Sequence, residues 1–248
     1  TTSHSNGPRE SNNFNYSLKA GWMYTLPHTT FNVDLEGGYG GRTRTGDLDY
    51  TEERVVGSQP FANGDYYSRD DYDLHETYFQ GSVGFDHKFN DKGHQLTGSF
   101  YLKYGGNAME YFQSDLFNKK NEREQGHRAW EDEHRWTVRG NMDYIYPYSK
   151  TGHIEAGYQY FSYLEDGDYS MQFWSPEKQE FYWRDDIYNT FYFQHGINSI
   201  YAIVGDSYKS FDFQAGVRGE HTHRVLRSSI PGKDREYNKF EFFPSVHL

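Results

Sequence analysis

The 248-residue sequence has no cysteine, only seven prolines and four methionines, and no run of some ~18 consecutive apolar residues. The missing cysteines exclude a disulfide framework and any thiolate metal site. The missing apolar run excludes a membrane-spanning helix, though not a membrane-spanning strand. Positive charge is also scarce, with 25 Lys+Arg against 36 Asp+Glu and a net charge of −11, so the basic footprint of a nucleic-acid binder is absent. The first residues, TTSHSNGPRE, contain neither an initiator Met nor the basic-then-apolar pattern of a leader, and the chain reads as a fragment or processed product. Hydrophobic residues make up only 35% and mean hydropathy is −1.01, values that usually mark a chain unable to build a core. Against that stand 24 Tyr, 19 Phe and 5 Trp, which disordered chains lack.

The apolar material is arranged by alternation. In NFNYSLKAGWMYTLP, residues 13–27, every second position is greasy: Phe14, Tyr16, Leu18, Ala20, Trp22, Tyr24 and Leu26. A period of two over that length predicts one long strand with one apolar and one polar face. The same pattern returns with Phe31, Val33, Leu35 and Tyr39; with Phe79, Val83, Phe85 and Phe89; with Leu96, Phe100, Leu102 and Tyr104; with Trp136, Val138, Met142, Tyr144 and Tyr146; with Ile154, Ala156, Tyr158 and Tyr160; and with Phe211, Phe213, Ala215 and Val217. The run from Ile197 to Gly205 is apolar on both faces and its register is undecided, and a ninth strand starts near Lys239.

The connections alternate as well. Short turns, PHTT, NDKGH, PYSKTG and DSYKS, are separated by long connections of 31 residues (44–74), 29 (105–133), 26 (165–190) and 15 (224–238). The four long connections together carry the chain's whole net charge of −11. Short turns at one end and long loops at the other are the layout of an outer-membrane barrel, whose greasy face meets lipid and whose other face meets a lumen. Trp22, Tyr24, Phe89, Tyr144, Tyr146 and Tyr148 fall beside the short turns, where an interfacial girdle belongs. The alternative is a soluble β-sandwich with these aromatics in its core. The fold expected is thus all-β: a transmembrane antiparallel up-and-down β-barrel, of which residues 1–248 form a single partial domain of about nine strands. Labels at Leu18, Val33 and Phe100 are expected to contact lipid, and labels at Lys19, Asp34 and Ser99 are not.

Two segments carry a family resemblance. AGVRGEHT, Ala215–Thr222, followed by YNKFEFFPSVHL, Tyr237–Leu248, resembles the barrel domain of TonB-dependent outer-membrane receptors, in the form found in the Bacteroides and Porphyromonas lineage. The resemblance implies a 22-stranded barrel closed by a plug domain, the TonB energy-coupling complex as partner, and uptake of a scarce nutrient such as a siderophore, glycan or peptide. The plug, the coupling box and the closing strand of that family are not found in this sequence. An adhesion or partner-binding barrel and a passive porin are the alternatives. No cofactor is expected, and no nucleophile–base set singles itself out, so an enzyme is not expected.

Candidate binding residues lie in the long connections, which are rich in aromatics. Trp130, Trp174, Tyr182 and Trp183 are expected to act together at the extracellular mouth, with Arg128 and Arg184 orienting an anionic group. The alternative is that these rings pack the loops together or cap a surface lipoprotein. Arg42, Arg135, Arg139, Glu155, Arg218 and Glu220 fall on polar faces and are expected to line the lumen as ion pairs or as contacts to a plug. Asp65, Asp70, Asp71 and Asp73 have the oxygen density of a calcium loop but not its Gly and Glu spacing, and a solvated acidic loop is the simpler reading. His221 and His223 share a strand face without a third ligand. GGYGG, Gly37–Gly41, opens no helix and suits close approach to a neighbour better than phosphate binding.

Overall fold

The computed structural model describes residues 2–56, 59–209 and 211–248. In chain order its strands are β1 (Thr2–Asn6), β2 (Arg9–Thr25), β3 (Thr29–Val56), β4 (Gln59–Lys88), β5 (Gln95–Asn118), β6 (Arg123–Pro147), β7 (His153–Ser175), β8 (Glu180–Trp183), β9 (Asn189–Tyr208), β10 (Phe211–Ser228) and β11 (Arg235–His247). They form one antiparallel sheet in which each long strand pairs with the next. β1 and β2 lie end to end along β3, interrupted at Gly7 and Pro8, and β8 folds back on the upper end of β7. Counting β1 and β2 as one, nine long strands run side by side.

Register turns nine separate alternations into one surface. A row of paired residues runs Trp22, Val33, Val83, Phe100, Gly140, Tyr160, Asn198, His221, Phe240. Because directly opposed residues share a face, all the apolar sets above lie on the same side of the sheet. Pairing also settles β9: Ile200, Ala202 and Val204 join the apolar face, and Ile197, Tyr201 and Ile203 the other. The apolar face is bare: Leu18 is 80% exposed, Phe242 68% and Ile200 66%. Among the described residues the buried hydrophobic side chains are Leu48, Ala129 and Val225, too few for the packed interior of a sandwich. A surface of that composition needs hydrocarbon to cover it.

The strands are staggered. Along the row just traced, Trp22 lies three residues from the end of β2 at Thr25, whereas Asn198 lies ten from the end of β9 at Tyr208. Such a progressive offset is the shear of tilted strands wrapping toward a barrel. The apolar belt on β6 extends from Trp136 to Tyr146 and on β7 from Ile154 to Leu164, eleven residues each, close to the ~9–11 that a tilted strand needs to cross a bilayer. Beside the short turns the girdle is built by ring contacts. Trp22 and Tyr24 stack at 5.7 Å, and His94 lies 4.3 Å from Phe89, 5.4 Å from Tyr144 and 5.2 Å from Tyr146.

The long connections differ from expectation. Instead of structureless loops they are continuations of the strands: β3 and β4 pair up to Val56 and Gln59, β5 and β6 up to Phe117 and Arg123, and β10 and β11 up to Leu226 and Arg235. Above the belt both faces meet water, so the apolar alternation disappears while the backbone ladder carries on. The tip of the first connection, 57–58, and Ser210 of the last short turn lie outside the described residues. In the GGYGG segment, a Cβ on Gly38 would lie 2.5 Å from the ring of Tyr78, and one on Gly41 2.6 Å from the ring of Phe14. Neighbouring aromatic rings thus lie over these glycines, as the close-approach reading expects.

Candidate functional site

The face opposite the apolar belt carries Arg42, Arg135, Arg139, Glu155, Arg218 and Glu220, as their strand positions predict. They sit in a polar network that crosses strands. Glu36 pairs with Lys19 at 3.1 Å and accepts hydrogen bonds from Tyr78 Oη (3.0 Å) and Gln80 Nε2 (2.7 Å), and Tyr101 Oη donates to Gln80 at 2.9 Å. Asn141 donates to Asp143 at 2.8 Å, and Asp143 accepts from Tyr201. Arg218 is a second hub, 2.5 Å from Glu220, donating to Gln159 at 2.7 Å and to Ser199 at 2.9 Å. Arg42 donates to Asn13 at 2.8 Å, and the Arg139 guanidinium lies 5.8 Å from the rings of Tyr101 and Phe161. Few of these contacts are the simple cross-strand ion pairs expected. Most are amide, hydroxyl and ring contacts, which fix side-chain positions without cancelling the surface's capacity to bind.

Above the belt the same inner face becomes acidic. Glu110 and Glu131 are directly opposed, Glu133 is two residues along, and Arg135 bridges Glu133 (3.6 Å) and Glu76 (3.7 Å). Burial, a hydrogen bond shared with Glu133 and the charges of Glu133, Glu110 and Glu165 push the Glu131 carboxyl from its ordinary 4.5 up to about 7. Between those two values the folded hairpins hold more protons than the unfolded chain. Their stability is therefore full below pH 4.5, falls as pH rises toward 7, and levels off above it. Thermal melting of the upper hairpins, followed by infrared spectroscopy of the reconstituted protein, is expected to show this decline. Glu131→Gln, neutral throughout, should flatten it and raise the melting point at pH 8.

The aromatic cluster is only partly as expected. Gln172 of β7 is directly opposed to Arg128 on one side and to Trp183 on the other, and Trp174 to Phe181. This places Arg128, Trp130, Trp174 and Trp183 on the outer face, the face that lower down carries Trp136 and the apolar belt. Tyr182 and Arg184 are on the inner face, where Tyr182 is opposed to Phe173 and the Arg184 guanidinium lies 5.1 Å from the Phe173 ring. Arg184 is engaged with Asp186 through two hydrogen bonds of 2.6 and 2.7 Å. The six residues thus do not converge on one ligand, because strand alternation splits consecutive residues between faces. The cluster centres instead on residues the sequence reading passed over. Arg123 lies 4.7 Å from the ring of Trp174, 5.2 Å from Phe181 and 5.4 Å from Phe117, and its Nε is 2.9 Å from the carboxylate of Asp115, which is 2% exposed. Arg128 lies 3.9 Å over Phe181, and Trp130 is 5.2 Å from Trp183 and 5.4 Å from Tyr111. Nothing in the sequence pairs Asp115 with Arg123: in the hairpin register Asp115 is opposed to Gly126 and Arg123 to Phe117, so the contact is diagonal.

The acidic segment on β4 is likewise divided. Asp65, Asp71 and Asp73 point outward, while Asp70 points inward and accepts from Ser114 at 2.6 Å. Asp73 pairs with His75 at 2.9 Å and Asp65 with Lys119. The calcium arrangement is therefore not assembled by the fold, and among the described residues no group of three His, Cys, Asp or Glu side chains is placed to hold a metal. His221 and His223 share the outer face, His221 being bonded to Asn238 at 2.6 Å.

No curated protein is similar enough to the chain to count as a relative. Among solved structures, the chain is similar to the crystal structure of the ferric citrate transporter FecA in its unliganded form, with 11% sequence identity and a TM-score of 0.44 over 98% of this chain and 41% of that one. The chain thus spans about two fifths of that protein's length. The sequence profile of the outer membrane protein beta-barrel family matches residues 87–248, from the end of β4 through β11. With that match over more than half its length, and with a bare apolar belt on one face and a polar network on the other, the chain belongs to the outer membrane protein beta-barrel family and forms barrel wall in the bacterial outer membrane.

Proposed function

We propose that this wall is part of an energy-coupled receptor that imports a scarce nutrient, a siderophore, glycan or peptide, in the manner of TonB-dependent receptors. The observation that carries the reading is the inner face together with the openness of the sheet. Nine long strands describe an arc whose edges, β2 and β11, are not paired with each other. Backbone groups cannot stay unpaired in hydrocarbon, so further strands complete the ring. A ring of the 22 strands that the resemblance implies encloses a lumen its own side chains cannot fill, the situation in which such transporters carry a plug. The network around Glu36, Asp143 and Arg218 offers such a plug a preorganised wall of donors and acceptors.

The motifs that carry the resemblance lie on neighbouring strands, Ala215 facing Val246 and Val217 facing Pro244. They form one local structure at the wall, which supports reading them as a single family feature. The hairpins above the belt form an extracellular mouth, open to a surface lipoprotein, and the role is binding and transport, not catalysis.

The test is growth of a strain lacking the gene on ferric chelates, oligosaccharides and peptides supplied singly, followed by uptake of the substrate so identified. Uptake is expected to stop when the energy-coupling complex is deleted or the proton gradient is collapsed, while surface binding persists. Uptake that continues under both conditions would identify a passive pore. Normal growth of the deletion strain on every substrate would move the protein to an adhesive or scaffolding role.

A further inference from the structure

The upper ends of β5 to β8 hold aromatic side chains on the side of the wall that a transported molecule never meets. Tyr111, Trp130 and Trp183 follow one another across the outer face, ring centroids 5.4 and 5.2 Å apart, and Trp183 is 55% exposed. Their height excludes an anchoring role in hydrocarbon. Trp136 ends the apolar belt on β6, and Trp130 is six residues higher, or ~20 Å along the strand at about 3.3 Å per residue. Between belt and patch lies a polar band on the same face, His134 and Asp132 on β6 with Asp166 and Asp168 on β7. Going outward, then, the outer face reads hydrocarbon, polar band, aromatic rings flanked by polar donors.

We infer that the Tyr111–Trp130–Trp183 patch binds the sugar headgroup of the glycolipid that forms the outer leaflet around the barrel. Three observations support that occupant over others. By strand register the patch lies on the same face as the lipid-facing belt, above the polar band, so whatever covers the belt from the side rises past the patch. The exposed Trp183 ring, backed by the half-buried Trp130 and Tyr111, suits the apolar face of a pyranose, and the neighbouring polar groups suit its hydroxyls. Those groups are Gln172, directly opposed to Trp183, and Arg128, which donates to Gln113 at 3.1 Å and makes no ion pair among the described residues. The separation of about 20 Å along a tilted strand, roughly 15 Å in height, puts the patch above the hydrocarbon and at the level of a membrane lipid's sugars. This inference needs the outer-membrane location of the wall and not the uptake reading.

The test uses the full-length protein in phospholipid nanodiscs, titrated with the deacylated core oligosaccharide of the parent bacterium's lipopolysaccharide and followed by saturation-transfer NMR and tryptophan fluorescence. Wild type is expected to bind the oligosaccharide, Trp183→Ala at least roughly tenfold more weakly, and Trp183→Tyr nearly as well as wild type. Unchanged heat-modifiable mobility in gels checks assembly, and Gln172→Ala, also weakened, serves if Trp183→Ala does not assemble. Equal binding by all variants, no binding by wild type, or binding only of acylated lipid A that lacks the core oligosaccharide would overturn the assignment. The last result would transfer the contact to phosphate or acyl groups.

Discussion

Phe100→Arg is expected to abolish barrel assembly, whereas Ser99→Arg, one residue earlier, should leave it nearly intact. Phe100 lies midway along the apolar stretch of β5, in the row between Val83 and Gly140, and is 46% exposed on the lipid-facing side. An arginine at the bilayer midplane costs about 2–4 kcal/mol, and its neighbours here, Val83 and Gly140, supply no counter-charge. Ser99 faces the lumen opposite Asn141, with which it is hydrogen-bonded. An arginine there loses one hydrogen bond, about 1 kcal/mol, and enters water. The measurement is the fraction of heat-modifiable, folded protein recovered in the outer membrane. Equal recovery of both variants would mean that the two faces are not in different solvents and would reinstate a water-soluble sheet. Spin labels provide the graded version, with lipid contact at Leu18, Val33 and Phe100 and water contact at Lys19, Asp34 and Ser99.

A second large effect is expected from Arg123→Ala. Asp115 is the most buried side chain among the described residues, and its ionic partner is Arg123, which also accounts for contacts to three rings. Gln113 contributes a hydrogen bond of 2.5 Å to the same carboxylate. Removing the guanidinium leaves a buried carboxylate without its counter-charge, a change worth about 3–5 kcal/mol. The loss should be local. Amide hydrogen exchange is expected to accelerate by two to three orders of magnitude, to order of magnitude, in the upper parts of β5 to β8 and not in the belt. The double variant Asp115→Leu with Arg123→Met, apolar at both positions, should recover most of the protection, since replacing both members of a buried pair is often neutral. Because Trp174 rests on Arg123 and donates to its backbone carbonyl at 3.1 Å, Trp174→Ala should also loosen this region. Trp174 thus belongs to the paired part of the strands, opposed to Phe181.

Period-two alternation was enough to locate the membrane strands, because a strand with lipid on one side and lumen on the other must sort its residues by solvent at every step. Phe14 to Tyr24, Phe31 to Tyr39 and Ile154 to Tyr160 all fall on the face that the alternation assigns them. The inner-wall residues Arg42, Arg135, Arg139, Glu155, Arg218 and Glu220 were legible for the same reason. The long connections were not, because water on both faces removes the selection for alternation although the ladder continues unchanged.

Only pairing could decide where the upper side chains point. Tyr101 and Tyr111 are both odd-numbered residues of β5, yet Tyr101 faces the lumen and Tyr111 faces outward, because the register slips between Gly105 and Ala108 and reverses the alternation. Ordinary alternation, with no slip, divides Trp183 from Tyr182 and Asp71 from Asp70. Sequence therefore determined which solvent each membrane strand face meets, since that is a property of neighbouring residues along one strand. Tertiary structure decided which residues meet one another above the membrane, since that depends on bulges and on the register between strands separated by tens of residues.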